Sequence, residues 1–197
     1  MNLNKAVFLD RDGTIMFDSG YLSDPAKVDI FDETVEALKA LKDAGYLLVI
    51  VTNQSGIARG YFKMEDMEKV NARMEELFKA HGVVFDGIYV CPHRDEDRCK
   101  CRKPLPGLIF MASRDKDIDI SNSFMVGNSR SDVNAGTSAG CRLNFLLGGE
   151  KGSLSRDNML SVDSVSEAAE IILTLDGTLD KIMEKEKMED KTGEEQI

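Results

Sequence analysis

The sequence predicts an α/β fold built on one doubly wound parallel sheet, with helices on both of its faces. Three observations support this prediction. Short apolar runs recur without polar alternation, as they do in strands that are buried on both faces. Segments with the apolar spacing of helices lie between these runs, so strand and helix alternate along the chain. A length of 197 residues favours one domain, which we place at residues 1–175.

The first strand is predicted at Ala6–Leu9, and charged residues follow it directly. Asp10 and Asp12 follow it two residues apart, so their side chains leave an extended backbone on the same side. Ligands bind at this edge of open α/β sheets, and two neighbouring carboxylates favour either a bound cation or a shared proton. The pair suits metal-assisted chemistry in which one acid is the nucleophile and the other carries a proton. The alternative is an ordinary solvated turn, because Asp and Gly are common in turns.

The second strand is predicted at residues 46–51, after a loop at 16–30 and a helix at 32–44 that Asp32 caps. The loop either covers the strand end and contacts a ligand or simply connects two elements. A polar segment follows the strand, and its hydroxyl and amide groups are neutral donors that suit phosphate oxygens. Taken alone, it is also an unremarkable polar loop. The segment contains Thr52, Asn53, Gln54 and Ser55.

The remaining elements continue the alternation of strand and helix. Asn128 and Asp132 follow a fourth strand and reach the same sheet edge as the first aspartates. The charged segment 176–197 is predicted to be a surface helix or a frayed tail. The other expected elements are helices at 63–80, from 106 onward, up to 140 and at 167–175, and strands at 87–90, 123–126 and 142–147.

A cluster of cysteine and histidine residues follows the third strand. Three thiols and one imidazole lie within eleven residues, and this is the ligand set of a closed tetrahedral zinc site. Because the protein would fill all four positions, no catalytic water remains, and the zinc is expected to staple a loop. The alternative is a set of reduced cysteines on a surface loop. The four predicted ligands are Cys91, His93, Cys99 and Cys101.

Two basic residues, Arg102 and Lys103, come directly after the predicted zinc ligands. A metal-stapled loop would hold both cations with little freedom, which helps them to bind and polarise an anionic ligand. An exposed basic pair is the ordinary alternative. The spacing therefore favours an anion site beside the metal loop.

Composition limits the classes of partner. The chain has 35 acidic and 25 basic residues and a formal charge of −10, which opposes binding to nucleic acids and to anionic membranes. The first ten residues lack the charged and apolar regions of a signal peptide, and no apolar stretch has the length of a membrane span. We expect a soluble, monomeric, cytoplasmic protein that binds a small molecule.

The strand ends together resemble the haloacid dehalogenase superfamily of phosphotransferases. The aspartates of DRDGT, the strand-end Thr52, Lys103 and the acidic fourth motif occur in the order of that superfamily. Within it, DSGYL, TNQSGIARGYF and the loop from CPH to CRKP are similar to the heptose bisphosphate phosphatases, over about residues 7–140. The resemblance implies a Rossmann-like fold without a large cap domain. It also implies a phosphatase that acts on a phosphorylated sugar, most specifically on the 7-phosphate of a heptose 1,7-bisphosphate.

The resemblance also implies roles for individual residues. Asp10 would attack phosphorus to form an aspartyl phosphate, and Asp12 would act as the general acid and then the general base. Thr52, Asn53 and Lys103 would hold the phosphoryl oxygens. Magnesium would be bound by Asp10, Asp12, Asn128 and Asp132. The implied substrate contacts are Arg11, Asp18, Ser19, Gly20, Tyr21, Asn53, Gln54, Ser55 and Arg102.

The sequence departs from the family pattern at the predicted magnesium site. Asn128 stands where an aspartate is usual, and Ser129 replaces a basic residue that is common in the heptose enzymes. Asn128 can coordinate through its amide oxygen but removes one negative charge, so weaker magnesium binding is expected. Two alternatives stay open: a histidinol-phosphate phosphatase, and a zinc-stapled binding module with little catalytic activity.

Overall fold

The computed structural model describes residues 3–149 and 158–177. Within these ranges, six parallel strands form one sheet, and five α-helices surround it. The strands are β1 (Ala6–Leu9), β2 (Leu47–Asn53), β3 (Gly87–Cys91), β4 (Phe124–Gly127), β5 (Leu143–Leu147) and β6 (Met159–Val162). The helices are α1 (Val35–Asp43), α2 (Met64–Ala80), α3 (Gly107–Lys116), α4 (Arg130–Ala139) and α5 (Val165–Leu175).

The sheet is covered on both faces, as the apolar runs of the sequence predict. Val7 and Leu9 of β1 pack into one core with α1, α2 and α5, whereas Ala6 and Phe8 pack into a second core with α3 and α4. All four residues are completely buried. This explains why β1 shows no polar alternation, and it confirms the doubly wound architecture.

The strand order is β3-β2-β1-β4-β5-β6, so the chain winds outward from the centre in two directions. The winding direction changes between β1 and β4, which are hydrogen-bonded neighbours. Such a switch point leaves a crevice at the carboxyl ends of the two strands. The residues that follow β1 and β4 are therefore positioned to face one crevice.

The structure differs from the sequence-based expectations in four places. β2 ends at Asn53, two residues later than expected, so Thr52 and Asn53 belong to the strand. The edge strand β6 was not predicted, because its four residues, MLSV, carry too weak a pattern. Asp32 does not cap α1: it lies in a 3-10 turn, Asp32–Thr34, that precedes the helix. α5 begins at Val165, two residues earlier than expected, with the Ser164 side chain as its cap.

The predicted tail at 176–197 lies outside the described residues, apart from Asp176 and Gly177. The division into a domain at 1–175 and a tail therefore stays a prediction. Among the helices that the structure describes, none is both long and apolar enough to cross a membrane.

Asp176 connects the end of α5 to the start of the sheet. Its carboxylate accepts a hydrogen bond from the Tyr46 hydroxyl at 2.6 Å, pairs with Arg142 at 3.2 Å and contacts the Lys5 ammonium. Burial alone would raise the pKa of Asp176, but the hydrogen bonds from Lys5 and Tyr46 outweigh it and lower the pKa. The ionised form of Asp176 is therefore favoured more strongly in the folded chain than in the unfolded chain.

We expect Asp176→Asn to lower the free energy of unfolding by about 1–3 kcal/mol at pH 7, because hydrogen bonds to a charged group are lost. A group with a lowered folded-state pKa stabilises above its unfolded pKa, and this contribution disappears as the pH falls through the folded pKa. The difference between variant and wild type should therefore shrink as urea denaturation is repeated at increasingly acidic pH. A difference that stays constant with pH would contradict this account.

Candidate active site and metal-binding loop

Two adjoining clefts lie at the carboxyl edge of the sheet. The inner cleft, of about 190 Å³, contains the predicted catalytic and magnesium residues Asp10, Asp12, Thr52, Lys103, Asn128 and Asp132. The outer cleft, of about 230 Å³, contains the predicted substrate residues Arg11, Asp18, Gly20, Tyr21, Gln54 and Ser55. Asp12, Asp18 and Asn53 line both clefts, which makes them continuous.

A buried lysine joins two carboxylates at the base of the inner cleft. The Lys103 Nζ lies 2.6 Å from Asp10 Oδ1 and 2.6 Å from Asp132 Oδ1, and it donates to the Val51 carbonyl at 2.7 Å. Burial disfavours the charged lysine, but the two carboxylates outweigh burial and raise its pKa. Burial raises the pKa of Asp10 to about 6, against the opposing effect of Lys103. Lys103 is therefore a fixed positive charge beside Asp10.

Asp12 is held in one orientation by two neighbouring side chains. Arg11 donates to both oxygens of Asp12, from Nε at 3.1 Å and from Nη2 at 2.9 Å, and Gln54 Nε2 donates to Oδ2 at 2.7 Å. Arg11 is only 1% exposed and also donates to Asn71 Oδ1 at 2.6 Å. Arg11 thus orients Asp12, and its direct contact with substrate stays a prediction.

Asn71 is a site residue that sequence reasoning missed. It lies in α2, four residues after Met67, and it is buried on the same helix face as Met67 and Met74. An amide inside an otherwise apolar stripe was the available signal, because a buried polar group needs a partner. That partner is Arg11.

The two strand-end residues of β2 have different roles. Thr52 Oγ1 accepts from Gln54 Nε2 at 2.9 Å, so its hydroxyl hydrogen can point to another acceptor in the inner cleft. The Asn53 amide pairs with the backbone of Lys103: Nδ2 donates to the carbonyl, and Oδ1 accepts from the N–H, both at 3.1 Å. The Asn53 side chain therefore helps to position Lys103. Its amide nitrogen has a second hydrogen, and Asn53 lines the inner cleft, so its contact with a phosphoryl group stays a prediction.

Two of the predicted magnesium ligands, Asn128 and the Asp12 carbonyl, lie next to Gly13. Asn128 Nδ2 donates at 3.1 Å to the Asp12 carbonyl, which is itself a predicted magnesium ligand. Gly13 has φ +72°, which residues with side chains rarely adopt, and a Cβ on it would lie 2.1 Å from Asn128 Nδ2, so another residue would strain the backbone and displace Asn128. The carboxylate of Asp10, the Asp12 carbonyl and the Asn128 amide supply oxygen donors of the kind that magnesium prefers. These donor types fit a magnesium ion, and coordination by Asn128 would require its amide to rotate so that the oxygen replaces Nδ2 beside the Asp12 carbonyl.

Asp132 lines the same inner cleft, and both of its carboxylate oxygens have partners there. Its Oδ1 pairs with Lys103, and its Oδ2 accepts from the Ser129 N–H at 3.0 Å and the Ser129 hydroxyl at 2.6 Å. The bond from the Ser129 N–H and a bond from the Asp132 N–H to the Ser129 hydroxyl oxygen, at 3.4 Å, form a capping box at the start of α4. Because both oxygens have partners, the structure favours a role for Asp132 in holding Lys103, and its direct coordination of magnesium stays a prediction.

The four predicted zinc ligands converge in the loop after β3. Their ligand atoms lie within 4.8 Å of one another. The Cys101 Sγ is 3.3 Å from Cys91 Sγ, 3.3 Å from His93 Nδ1 and 3.5 Å from Cys99 Sγ. Zn–S bonds of about 2.3 Å in a tetrahedron place sulfur atoms about 3.8 Å apart, close to this spacing. The cluster can therefore hold a zinc ion.

This candidate metal-binding loop, residues 91–101, also contacts its neighbours. Arg102 donates from Nε to Asp95 at 2.6 Å and from Nη1 to the His93 carbonyl at 3.2 Å. It lies in a separate depression beside Lys103, outside the two clefts defined above. Ser19, another predicted substrate contact, is exposed and lines neither cleft.

Comparisons with known proteins agree with this geometry. A family model described as polynucleotide kinase 3 phosphatase matches residues 5–146. The D-glycero-beta-D-manno-heptose-1,7-bisphosphate 7-phosphatase of Helicobacter pylori is 46% identical over 148 residues, or 75% of this chain and 86% of that protein. The chain belongs to this phosphatase family. The Pasteurella multocida protein of the same name is 46% identical over 143 residues, or 70% of this chain and 78% of that protein.

Solved structures place this phosphatase in the haloacid dehalogenase superfamily. A HAD-like phosphatase from Mesorhizobium loti matches with a TM-score of 0.79 and 33% identity, over 87% of this chain and 86% of that one. The D,D-heptose 1,7-bisphosphate phosphatase of B. bronchiseptica, in complex with magnesium and phosphate, matches with a TM-score of 0.77 and 32% identity, over 86% and 98%. The resemblance drawn from the sequence is confirmed, and so is the hydrolase class.

Proposed function

We propose that this phosphatase removes the 7-phosphate of D-glycero-D-manno-heptose 1,7-bisphosphate. The observation that carries the proposal is the gathering of Asp10, Asp12 and Lys103 around one cleft that opens into a second, outer cleft. The inner cleft suits a phosphoryl group, and the outer cleft suits the rest of a sugar phosphate. The names of relatives at 41–46% identity support the choice of sugar.

In the proposed reaction, Asp10 attacks phosphorus in line, and the bond from phosphorus to the sugar oxygen breaks. Asp12 donates a proton to the departing oxygen and then accepts a proton from the water that hydrolyses the aspartyl phosphate. Lys103 and the Thr52 hydroxyl hold the phosphoryl oxygens. Arg11 and Gln54 keep Asp12 aimed at the leaving oxygen.

Two metals complete the proposal. Magnesium, bound by Asp10, the Asp12 carbonyl and Asn128, would neutralise charge on the transferring group. Zinc at Cys91, His93, Cys99 and Cys101 would be structural, because the protein fills all four positions. Asp18, Gly20 and Tyr21, which line the outer cleft, are proposed to recognise the sugar. Arg102 and Ser19 lie outside both clefts, so their contacts with the sugar stay predictions. We also propose that the chain is a monomer, which size-exclusion chromatography with light scattering would test. The cytoplasmic location stays a prediction.

A substrate panel tests the proposal. With magnesium present, we compare kcat/KM for heptose 1,7-bisphosphate, histidinol phosphate and an oligonucleotide with a 3′-phosphate. We expect the bisphosphate to be preferred, and the formal charge of −10 to disfavour the oligonucleotide. A preference for histidinol phosphate or for the oligonucleotide would overturn the proposed substrate. No release from any phosphate ester would favour the binding-module alternative.

Asn128 gives a prediction about magnesium. Replacing it by Asp adds a negative charge to the donor set and removes the hydrogen bond that Nδ2 donates to the Asp12 carbonyl. We expect Asn128→Asp to bind magnesium about tenfold more tightly, since ligand charge tunes affinity for hard cations. Calorimetric titration measures this effect independently of turnover. Asn134→Asp adds the same charge on an exposed position of α4 and should leave affinity unchanged. Equal affinities of Asn128→Asp and wild type would refute the prediction.

A further inference from the structure

Two exposed tyrosines pair at the rim of the outer cleft. The rings of Tyr21 and Tyr61 lie edge to face, with centroids 4.6 Å apart and an angle of 75° between the planes. The two residues are 53% and 61% exposed. Tyr21 lines the outer cleft, whereas Tyr61 is not among the residues that line it. Tyr61 has no role in the site described so far.

The position of Tyr21 depends on its surroundings. Its φ is +27°, which is unusual for a residue with a side chain. A Cβ on Gly56 would lie 2.8 Å from Tyr21 Cδ1, so the tyrosine ring packs closely against the backbone of the loop that carries Tyr61. Contacts from this loop therefore help to hold Tyr21 in place.

Tyr61 belongs to a loop that is tied to the metal-binding loop. The Gln54 N–H donates to the Cys91 carbonyl at 2.7 Å, and the Ala58 N–H donates to the Pro92 carbonyl at 3.2 Å. The Tyr61 N–H donates to the Gly56 carbonyl at 2.9 Å. The backbone of the loop that carries Tyr61 is thus hydrogen-bonded to the metal-binding loop, whereas Tyr21 lies in the long loop after β1.

We propose that Tyr61 is a positioning residue for substrate recognition. Its ring supports Tyr21, and Tyr21 forms the wall against which the non-reacting part of a phosphorylated sugar packs. A tyrosine suits this purpose because its ring presents a large rigid surface and its hydroxyl can form hydrogen bonds with sugar oxygens. The inference deepens the proposed function and rests on it.

Steady-state kinetics of single variants provide the first test. Edge-to-face pairs contribute modestly, so we expect Tyr61→Ala to raise KM for heptose 1,7-bisphosphate about fivefold, with kcat within about twofold of wild type. Turnover of acetyl phosphate, which is too small to reach the outer cleft, should not change. Tyr61→Phe keeps the ring and should retain the wild-type KM. Phe110→Ala removes an exposed ring on α3, 48% exposed, and should match wild type.

A double-mutant cycle separates positioning from direct contact. If Tyr61 acts through Tyr21, adding Tyr61→Ala to Tyr21→Ala should have no further effect on KM. Equal effects of Tyr61→Ala in both backgrounds would overturn the inference, and so would an unchanged KM in the single variant. If the wild type hydrolyses acetyl phosphate but not the bisphosphate, the proposed substrate fails and the inference falls with it. The wild-type measurement alone identifies that case.

Discussion

Asp10→Asn is expected to lower kcat for phosphate release by at least about 10⁴-fold, because the variant lacks the carboxylate that would attack phosphorus. The substitution preserves the shape of the side chain. Lys103 keeps its second partner, Asp132, at 2.6 Å, so the buried ammonium is not left without a counter-charge and the variant should fold. Thermal unfolding and single-turnover kinetics together distinguish lost chemistry from lost structure.

A matched control and a second readout make this prediction specific. Asp43→Asn removes a carboxylate from the exposed end of α1 and should leave kcat unchanged. Brief mixing of wild type with substrate, followed by acid quench and mass spectrometry, should detect a phosphoryl group on the peptide that contains Asp10. The variant should show none. If Asp10→Asn retained a tenth of the wild-type activity, the nucleophile would lie elsewhere.

The core of the fold was predictable because the sequence pattern is strong there. A strand such as β1 that is buried on both faces must be apolar throughout, and no surface helix has that pattern. β6 lies at the edge of the sheet, and only two of its four residues are buried, so its four-residue pattern is ambiguous. The pattern of apolar residues therefore identifies the centre of a sheet better than its edge.

The membership of the site was also predictable, but the contacts within it were not. Parallel strands bring their carboxyl ends to one edge, which gathers Asp10, Thr52 and Asp132. Which atom pairs with which partner depends on side-chain directions that spacing does not determine. Arg11 turns inward to Asn71, and the Asn53 amide pairs with the backbone of Lys103. Arg11 and Asn53 thus hold two other predicted site residues, Asp12 and Lys103.

Removal of the proposed zinc ion is the second prediction with a large expected effect. Cys101 lies two residues before Lys103, and its Sγ is close to all three other ligand atoms. Cys101→Ser is expected to abolish zinc binding and to lower kcat/KM about 100-fold, because the loop that holds Lys103 and Arg102 would lose its staple. Zinc content by atomic emission and steady-state kinetics at saturating magnesium measure the two effects. A substitution is used instead of a chelator, because a chelator would also remove magnesium.

Cys141→Ala is the matched control for this variant. Cys141 is buried, with 3% of its surface exposed, but it lies outside the ligand cluster and packs in the core with α3 and α4. It should retain full zinc content and near-normal kcat/KM, although the loss of a buried side chain can lower stability by about 1 kcal/mol. A zinc-free Cys101→Ser protein with wild-type kinetics would show that hydrogen bonds alone hold the loop. The pairs Arg102–Asp95 and Asn53–Lys103 would then be sufficient to position the lysine.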